Sequence, residues 1–521
     1  MSKFAGMMDF TGLVRGRFTR QARRMDAWAD AERARSVQCA QLRWLLKRAA
    51  DTEAGRAYGF GRLASLPDLE LRDAYSAQVP VVEYEDIRGQ AERMVRGERD
   101  VLWPGVCRYF AQSSGTSGGK SKYVPITGES LRRNHIPGAS DAVASYLRLN
   151  PRSRMFAGKG LILGGSFANE LGDEVPAGVR VGDLSATLIH KTPAMADLFR
   201  IPGKKVALMS DWERKLPAII EAASRADVTN LSGVPSWFLI LLRRMMSERG
   251  VENLHDVWPN LEVFFHGGIS FKPYRAQYEE FTDPAKMHFL ETYNASEGFF
   301  AVQTGFGDPA MQLLLDRGVY YEFAPLGSDG LYGAPVPLEE TEAGRTYALI
   351  ISACNGLWRY SLGDTVRVAE GGAGRITIAG RTKSFINAFG EELMEHNADA
   401  AIAEACAATG ARVANYSAAP VYAEGGRRGR HRWLVEWTHS PADTEAFADI
   451  LDRELQRVNS DYQAKRSGNI FLDRLELLTA PAGLFDRWLA ANGTGKLGGQ
   501  RKVPRLSPTP ALMDSLLALM R

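Results

Sequence analysis

An α/β architecture is predicted for this chain, with one large domain of layered strands and helices followed by a smaller α+β domain. Three observations lead there. The 521 residues exceed what one ordinary hydrophobic core organises. The composition, 45% hydrophobic, 24% charged and 10% aromatic, is that of a globular chain and excludes the disordered, collagen-like and coiled-coil classes. From about Val101 onward short β-rich runs alternate with helical patterns, as in α/β layers with parallel strands.

Between Met1 and Ala50 eleven Lys/Arg stand against four Asp/Glu, within a basic helical segment assigned to residues 1–75. A solvated helical face accounts for this charge; a surface for anionic membranes or nucleic acid is the sharper alternative, and the scarcity of aromatics favours the first. Gly160–Leu163 reads as a strand. Ser210-Asp-Trp-Glu213 is a capping box opening a helix through Ile219, Ile220 and Ala223, and Val228–Leu231 is the next strand, which completes a βαβ unit. Pro235 starts an apolar helix that stops near Gly250. Leu261–Phe265 is a buried strand ending in His266-Gly267-Gly268, so a loop leaves the carboxyl end of a strand, where α/β sheets bind ligands.

Strands continue at Met287–Leu290, Val319–Phe323, Tyr347–Ser352, Thr365–Val368 and Arg375–Ile378. Gly380 and Arg381 then punctuate the chain, which divides it into a large domain, 1–380, and a C-terminal α+β domain. In the latter, Glu391–Thr409 is a long helix closed by Gly410. Strands near Val421 and Leu434, a helix from Pro441 to Val458, a strand near Leu472 and a last helical turn before Gly493 follow, with Gly425–Arg432 as a charged hairpin loop.

Several function classes fall away. A net charge of +3, from 64 basic and 61 acidic side chains, is too slight to make nucleic acid the partner. Four scattered cysteines, Cys39, Cys107, Cys354 and Cys406, form no zinc ribbon or disulfide framework, and a reducing cytoplasm is expected. The apolar run Trp237–Leu242 falls far short of the roughly 20 residues that span a bilayer. No secretory signal is expected either. The eight histidines never approach H-x-x-x-H spacing, which argues against a metal hydrolase. No motif bears on the oligomeric state.

Three stretches carry chemistry. In Ser113-Ser-Gly-Thr-Ser-Gly-Gly-Lys-Ser-Lys122 no side chain is apolar; glycines let backbone N–H groups converge, hydroxyls add donors and two lysines add charge, which suits a polyphosphate. It is no Walker A loop, since Gly119-Lys120-Ser121 would require glycine at 114, where serine stands. In Glu291-Thr-Tyr-Asn-Ala-Ser-Glu-Gly298, Glu297 sits in a glycine-flanked turn and can hold Mg²⁺, which takes one or two protein carboxylates; a capped turn is the alternative. In Gly356-Leu-Trp-Arg-Tyr-Ser-Leu-Gly-Asp364, the aspartate can accept hydrogen bonds from ribose hydroxyls while Arg359 and the aromatics supply charge and a stacking face; a hairpin turn with Asp364 in an Asx role is the alternative.

In this order the three stretches resemble those of the plant auxin-responsive acyl acid amido synthetases and their bacterial relatives, members of the adenylate-forming superfamily that includes firefly luciferase and the acyl-CoA synthetases. The first is similar to SSGTSxGxxK, the second to YxASE, and the third to YRxGD with one residue inserted. The likeness runs from about Tyr109 to the C-terminus and includes Trp258-Pro-Asn, His266-Gly-Gly and Gly380-Arg-Thr-Lys-Ser-Phe-Ile-Asn387. It implies a large adenylate-forming N-terminal domain, a hinge at 381–383 and a mobile α+β domain at 384–521. It also implies ATP and Mg²⁺ as cofactors, with Ser113, Ser114, Thr116, Ser117 and Lys122 on the phosphates. Gly267 and Gly268 would lie along the adenine, Tyr293 and Ser296 would line the nucleotide, Glu297 would hold the metal, Asp364 the ribose, and Arg381 would open the hinge. Gly499-Gln-Arg-Lys-Val-Pro-Arg505 resembles the terminal QxKxPR segment, making Lys502 the lysine for the α-phosphate, with Lys496 as competitor.

The activity so implied is ATP-dependent adenylation of an acyl acid and transfer of the acyl group to an amine of an amino acid. Transfer to coenzyme A or a carrier protein is the alternative. An esterase is hinted at by His266-Gly-Gly, but the pattern G-x-S-x-G occurs only as Gly115-Thr-Ser-Gly-Gly119, inside the polar stretch between two strands and not in a strand-to-helix elbow. A non-catalytic nucleotide or nucleic-acid binder would use the basic N-terminus instead.

Overall fold

In a computed structural model of the chain, the structure describes residues 9–113, 121–169, 171, 175–193, 197–268, 271–327, 332–382, 385–386, 388, 391, 393–422, 429–459, 462–463, 466, 472–492 and 503–520. The N-terminal part is helical, with Thr11–Arg23, Ala31–Ala49, Asp68–Gln78 and Tyr84–Val95 as its longer helices. Their apolar faces, through Leu42, Leu45, Tyr75 and Ile87, join one core with Tyr320, Tyr321 and Leu349 of the main sheet. Not all of the basic charge in this segment faces water. Arg24 and Arg317 clamp the fully buried Asp141 at 2.5 and 2.7 Å, and Arg15 donates to the carbonyls of Leu147, Asn150 and Ser153. These guanidiniums are internal staples, because their planar forks match carboxylate and carbonyl acceptors.

Strands β1 (Tyr109–Ser113) and β2 (Lys122–Pro125) are antiparallel, with Ser113 opposite Lys122, and a third strand, Arg180–Gly182, pairs parallel with β1. Among the described residues the main sheet has twelve strands, in two halves of opposite character. In the first, β3 (Lys159–Ile162), β4 (Arg200–Ile201), β5 (Val228–Gly233), β6 (Val263–Gly267) and β7 (His288–Ala295) are all parallel. Helices Trp212–Ser224, Pro235–Arg249 and Lys272–Glu280 supply the crossovers that parallel pairing requires. They bury Ile219, Phe238, Leu242 and Tyr278 against Leu231 and Phe264. The helix at Trp212 is capped by the Asp211 carboxylate, which accepts from the Glu213 and Arg214 N–H groups, and not by Ser210.

Beyond β7 the expected parallel alternation ends. The connection to β8 (Gly298–Gln303) shrinks to the pair Ser296-Glu297, and so short a link permits only antiparallel pairing. β9 (Met311–Leu313), β10 (Val319–Pro325), a short Val336–Pro337 strand, β11 (Thr346–Ala353), β12 (Tyr360–Val368) and β13 (Arg375–Arg381) complete this antiparallel half. Asp364 therefore lies inside β12, opposite Arg381 and beside an irregularity at Thr365/Val366, not in a hairpin turn.

The smaller α+β unit has its own core, in which Ile402, Phe447 and Leu451 pack on Val413, Trp433 and Val435. Its helix begins at Glu395, since Leu393–Met394 pairs as a short strand with Phe385–Ile386. Strands β14 (Arg412–Val421), β15 (Arg430–His439) and β16 (Glu476–Ala480) and the helix Thr444–Val458 follow; Leu472 makes only an isolated bridge to Gly429. The unit rests on the large domain through the Arg412–Glu280 ion pair, the Tyr274 hydroxyl on the Ala414 carbonyl at 3.4 Å, and His396 Nδ1 on the Ala379 carbonyl at 2.9 Å. Among the described residues no helix is long and apolar enough to cross a membrane.

Candidate active site

The hairpin tip Ser296-Glu297 stands where the parallel half of the sheet turns antiparallel, at the carboxyl end of β7. Such a switch in strand direction leaves a crevice for ligands beyond the strand ends. The side chains brought together there come from four separate parts of the sequence. Tyr293, on β7, donates its hydroxyl to Asp364 Oδ2 at 2.7 Å. Arg381, the last residue of β13, donates Nε to Asp364 Oδ1 at 2.9 Å. Lys122, the first residue of β2, donates Nζ to the Tyr360 hydroxyl at 3.5 Å. Glu297 is 8% exposed and feels the charges of Lys122, Asp364 and Arg381.

Burial pushes the Glu297 carboxyl above its ordinary range, and the attraction of Lys122 only partly offsets this. The Tyr293 phenol, buried and beside the Asp364 carboxylate, is pushed well above its ordinary value, so it stays a proton donor to that aspartate. Both Asp364 oxygens are oriented by donors, and its remaining lone pairs are fixed in direction. Ser296 is buried next to Glu297. The Asn355 side-chain amide donates to the Glu297 carbonyl at 3.0 Å and holds the hairpin tip.

Gly267 and Gly268 lie at the carboxyl end of β6. A Cβ on Gly267 would fall 2.4 Å from the Thr292 carbonyl oxygen, and Gly268 has φ +81°, so close strand approach and a left-handed turn each require glycine. These demands come from the sheet itself.

Two residues that the sequence left unremarked belong to this region. The Tyr84 ring lies under Lys122 Nζ at 5.7 Å, and its hydroxyl accepts the Tyr123 N–H at 2.6 Å. Arg88 donates to the Ser121 carbonyl at 3.0 Å. Both come from the helix Tyr84–Val95, about thirty residues upstream of the glycine-rich stretch, and no local motif marks them. Tyr360, expected as a stacking face, instead meets the Lys122 ammonium.

Arg359 overturns its expected role. It is 5% exposed, turns away from the crevice and pairs with Glu322 at 2.9 Å. It also donates to the Ser76 and Val79 carbonyls at 2.6 and 2.7 Å. The neighbouring Trp358 is buried against Phe60 and Trp103, with ring centroids 4.5 and 6.0 Å away. This pair anchors the N-terminal helices to the sheet.

Ser113 ends β1, at the foot of the loop. Ser114, Thr116, Ser117, Lys383, Lys496 and Lys502 lie outside the described residues. Just past Lys502, the chain pairs along β14: Ala418 N–H donates to the Arg505 carbonyl at 2.7 Å, and Ser417 Oγ to that of Pro504 at 2.9 Å. Arg505 itself pairs with Asp399.

A divalent cation of the Mg²⁺ type needs hard oxygen donors, few of them from protein when phosphates supply the rest. The donor set here is one buried carboxylate, Glu297, in a polar crevice, and it fits that requirement. Among the described residues no group of three His, Cys, Asp or Glu side chains is arranged to hold a metal by itself.

Comparison with known proteins matches three family models along the chain: the GH3 family N-terminal domain over 28–287, the central domain over 312–381 and the C-terminal domain over 396–511. Indole-3-acetic acid-amido synthetase GH3.4 of Arabidopsis thaliana is 22% identical, covering 92% of this chain and 91% of that protein. Indole-3-acetic acid-amido synthetase GH3.10 of the same plant is 24% identical over 93% of this chain and 95% of its own. Among solved structures, AtGH3.15 acyl acid amido synthetase in complex with 2,4-DB superposes with a TM-score of 0.76 at 18% identity, covering 99% of this chain and 97% of that one. A 2-hydroxyisobutyryl-CoA ligase in the postadenylation state gives 0.60 at 14% identity, over 94% and 93%.

Proposed function

The chain belongs to the GH3 family, and from that premise we propose that it is an ATP-dependent ligase that adenylates a small acyl acid and passes the acyl group to the amine of an amino acid. The observation that carries this reading is the convergence of Lys122, Tyr293, Glu297, Asp364 and Arg381 on one crevice.

A carboxylate cannot acylate an amine directly, because its oxygen is a poor leaving group. One carboxylate oxygen therefore attacks the α-phosphorus of ATP, the bond to the β-phosphate oxygen breaks, and pyrophosphate leaves with the electron pair. The amine nitrogen next attacks the acyl carbon; AMP departs, and the amine loses its proton as the amide forms. Two anions must meet in the first step, so positive charge and N–H donors have to be in place beforehand.

Lys122 stands at the end of the phosphate stretch, and we assign it to the departing pyrophosphate. Removing one such donor commonly costs about 10²–10³ in rate. Asp364, its two oxygens aimed by Tyr293 and Arg381, is assigned to the ribose hydroxyls. Ser113, Ser114, Thr116 and Ser117 are assigned to the phosphates, Ser296 and Tyr293 to the nucleotide wall, and Gly267 and Gly268 to the adenine edge. Glu297 would hold Mg²⁺, which when bound offsets the charge of the phosphates. Residues 381–383 are assigned as the hinge between the domains. Lys502 is assigned to the α-phosphate, with Arg505 anchored to Asp399 three residues beyond it. Closure of the smaller domain would keep water from the adenylate.

The test is carboxylate-dependent ATP–pyrophosphate exchange over a panel of aryl and alkyl acids, followed by acceptor-dependent AMP release. Exchange that falls by orders of magnitude in Lys122→Ala and Glu297→Ala, and an amide product with amino acids, are expected. Full exchange in both variants would remove those roles. A product formed only with coenzyme A would replace the amine by a thiol acceptor, an outcome that the likeness to the acyl-CoA ligase fold keeps in view.

A further inference from the structure

Some of the N-terminal cations have partners and some have none, and the structure sorts them by helix face. The helix Thr11–Arg23 is fixed to the large domain along one side. Phe10 and Phe18 pack against Phe199 and Phe156 with ring centroids 5.7 and 6.0 Å apart, Ala22 is buried, and Arg15 is stapled to the Leu147, Asn150 and Ser153 carbonyls. The opposite side presents Leu13, Arg17, Arg20 and Arg23, all exposed. At 3.6 residues per turn and 1.5 Å rise, these four fall within an arc of roughly 120° and a length of about 15 Å.

Among the described residues, none of these three arginines enters an ion pair or a side-chain hydrogen bond. The acids nearest in sequence are already engaged: Asp9 by Arg154 at 3.0 Å, Asp26 by Arg148 at 2.6 Å and Glu32 by Arg35 at 3.4 Å. Leu13 stands between Arg17 and Arg20 around the helix. It is 80% exposed, more than any other large apolar side chain among the described residues. Ahead of the helix the sequence places Lys3, Phe4, Met7 and Met8 before its first acid, Asp9. The phosphate backbone of a nucleic acid would engage the arginines and leave the leucine in water. An anionic bilayer uses both, since lipid phosphates meet the guanidiniums while the apolar side chain enters the boundary between headgroups and acyl chains.

We propose that the outer face of helix Thr11–Arg23 is a peripheral membrane-contact surface, which lays the large domain on a bilayer of anionic lipid. Arg17, Arg20 and Arg23 meet the lipid phosphates, and Leu13 sits in the interface. Attachment requires no turnover, so it stands apart from the ligase reading.

Co-sedimentation of the full chain with vesicles tests it. Partitioning onto vesicles of equal phosphatidylglycerol and phosphatidylcholine is expected to exceed that onto phosphatidylcholine alone at least tenfold. It should be lost when salt rises from about 0.1 M to about 1 M, as the Debye length shrinks from about 10 to about 3 Å. One arginine near an anionic surface changes partitioning about fivefold, so Arg17→Gln/Arg20→Gln/Arg23→Gln should lower it about a hundredfold. Leu13→Ser should lower it severalfold. A control with the same change of net charge at exposed positions elsewhere, Lys205→Gln/Arg214→Gln/Arg453→Gln, should stay within about threefold of the parent. If the helix triple variant melts early, Arg20→Gln and Leu13→Ser decide. Three results would overturn the proposal: no preference for anionic vesicles, an equal loss in the control, or full partitioning in the folded helix variants. Salt-sensitive binding to duplex DNA that the helix variant abolishes, without vesicle binding, would overturn it too and give the face to nucleic acid.

Discussion

Replacing Arg359 by methionine separates an architectural role from a nucleotide-binding one. The guanidinium is 5% exposed, pairs with Glu322 and donates to two carbonyls at the end of helix Asp68–Gln78. Removing it leaves a buried carboxylate without its cation, a change that costs about 3–5 kcal/mol, and strips Ser76 and Val79 of donors at about 1 kcal/mol each. The backbone at Arg359 has φ +43°, and methionine meets the same strain there as arginine, so this contribution cancels. Urea unfolding should therefore report a loss of at least 3 kcal/mol. The double variant Arg359→Met/Glu322→Leu should recover much of it, because an apolar pair of similar volume tolerates the same burial. In the folded double variant KM for ATP should stay within about twofold of the parent. A single variant with unaltered stability and KM for ATP raised tenfold or more would refute the reasoning and return Arg359 to the nucleotide.

Asp364→Asn should raise KM for ATP in pyrophosphate exchange by about ten- to a hundredfold, the loss of one charge-assisted contact or two; an unchanged KM would retire the ribose assignment. Burial raises the Glu297 pKa, and only the ionised carboxylate binds a cation, so the Mg²⁺ concentration for half-maximal activity should fall as pH rises through that value. Glu297→Gln should require more Mg²⁺ at every pH, without this slope. Asp183, which accepts the Ser166 N–H at 2.8 Å, is pushed by burial to about 6 from 3.8. A raised carboxyl pKa means that its stabilising contribution is whole below about pH 3.8 and lost as pH rises through 6. Asp183→Asn should accordingly flatten the fall in urea midpoint between pH 4 and 6.5, and an unchanged slope would place that titration elsewhere.

Much of the site was legible because its chemistry is carried by short contiguous stretches. Glu297 was read as a turn carboxylate, and it does occupy the two-residue link between β7 and β8. Asp364, for which a hairpin turn stood as the alternative, lies in a strand, since Tyr360–Val368 pairs with β11 and, from Asp364 onward, with β13. Tyr84 and Arg88 escaped because a tyrosine and an arginine on an amphipathic helix look the same whether they face water or a lysine. The basic N-terminus was read as a solvated face, yet Arg15 and Arg24 are spent inside the molecule; a charge count cannot tell a buried partner from a solvent shell.

What the chain determines locally is the alternation of strands and helices as far as β7, the composition of the three polar stretches, and glycines where the backbone must turn or pack closely. Those follow from periodicity and from conformational freedom, which act between neighbours in sequence. Only tertiary structure decided that Asp364 would be held by Tyr293 and Arg381, that Arg359 would serve Glu322, and that the sheet would reverse from parallel to antiparallel at Glu297. The three side-chain pairings reach across 71, 17 and 37 residues, chosen by which buried polar groups can satisfy one another once the core has closed.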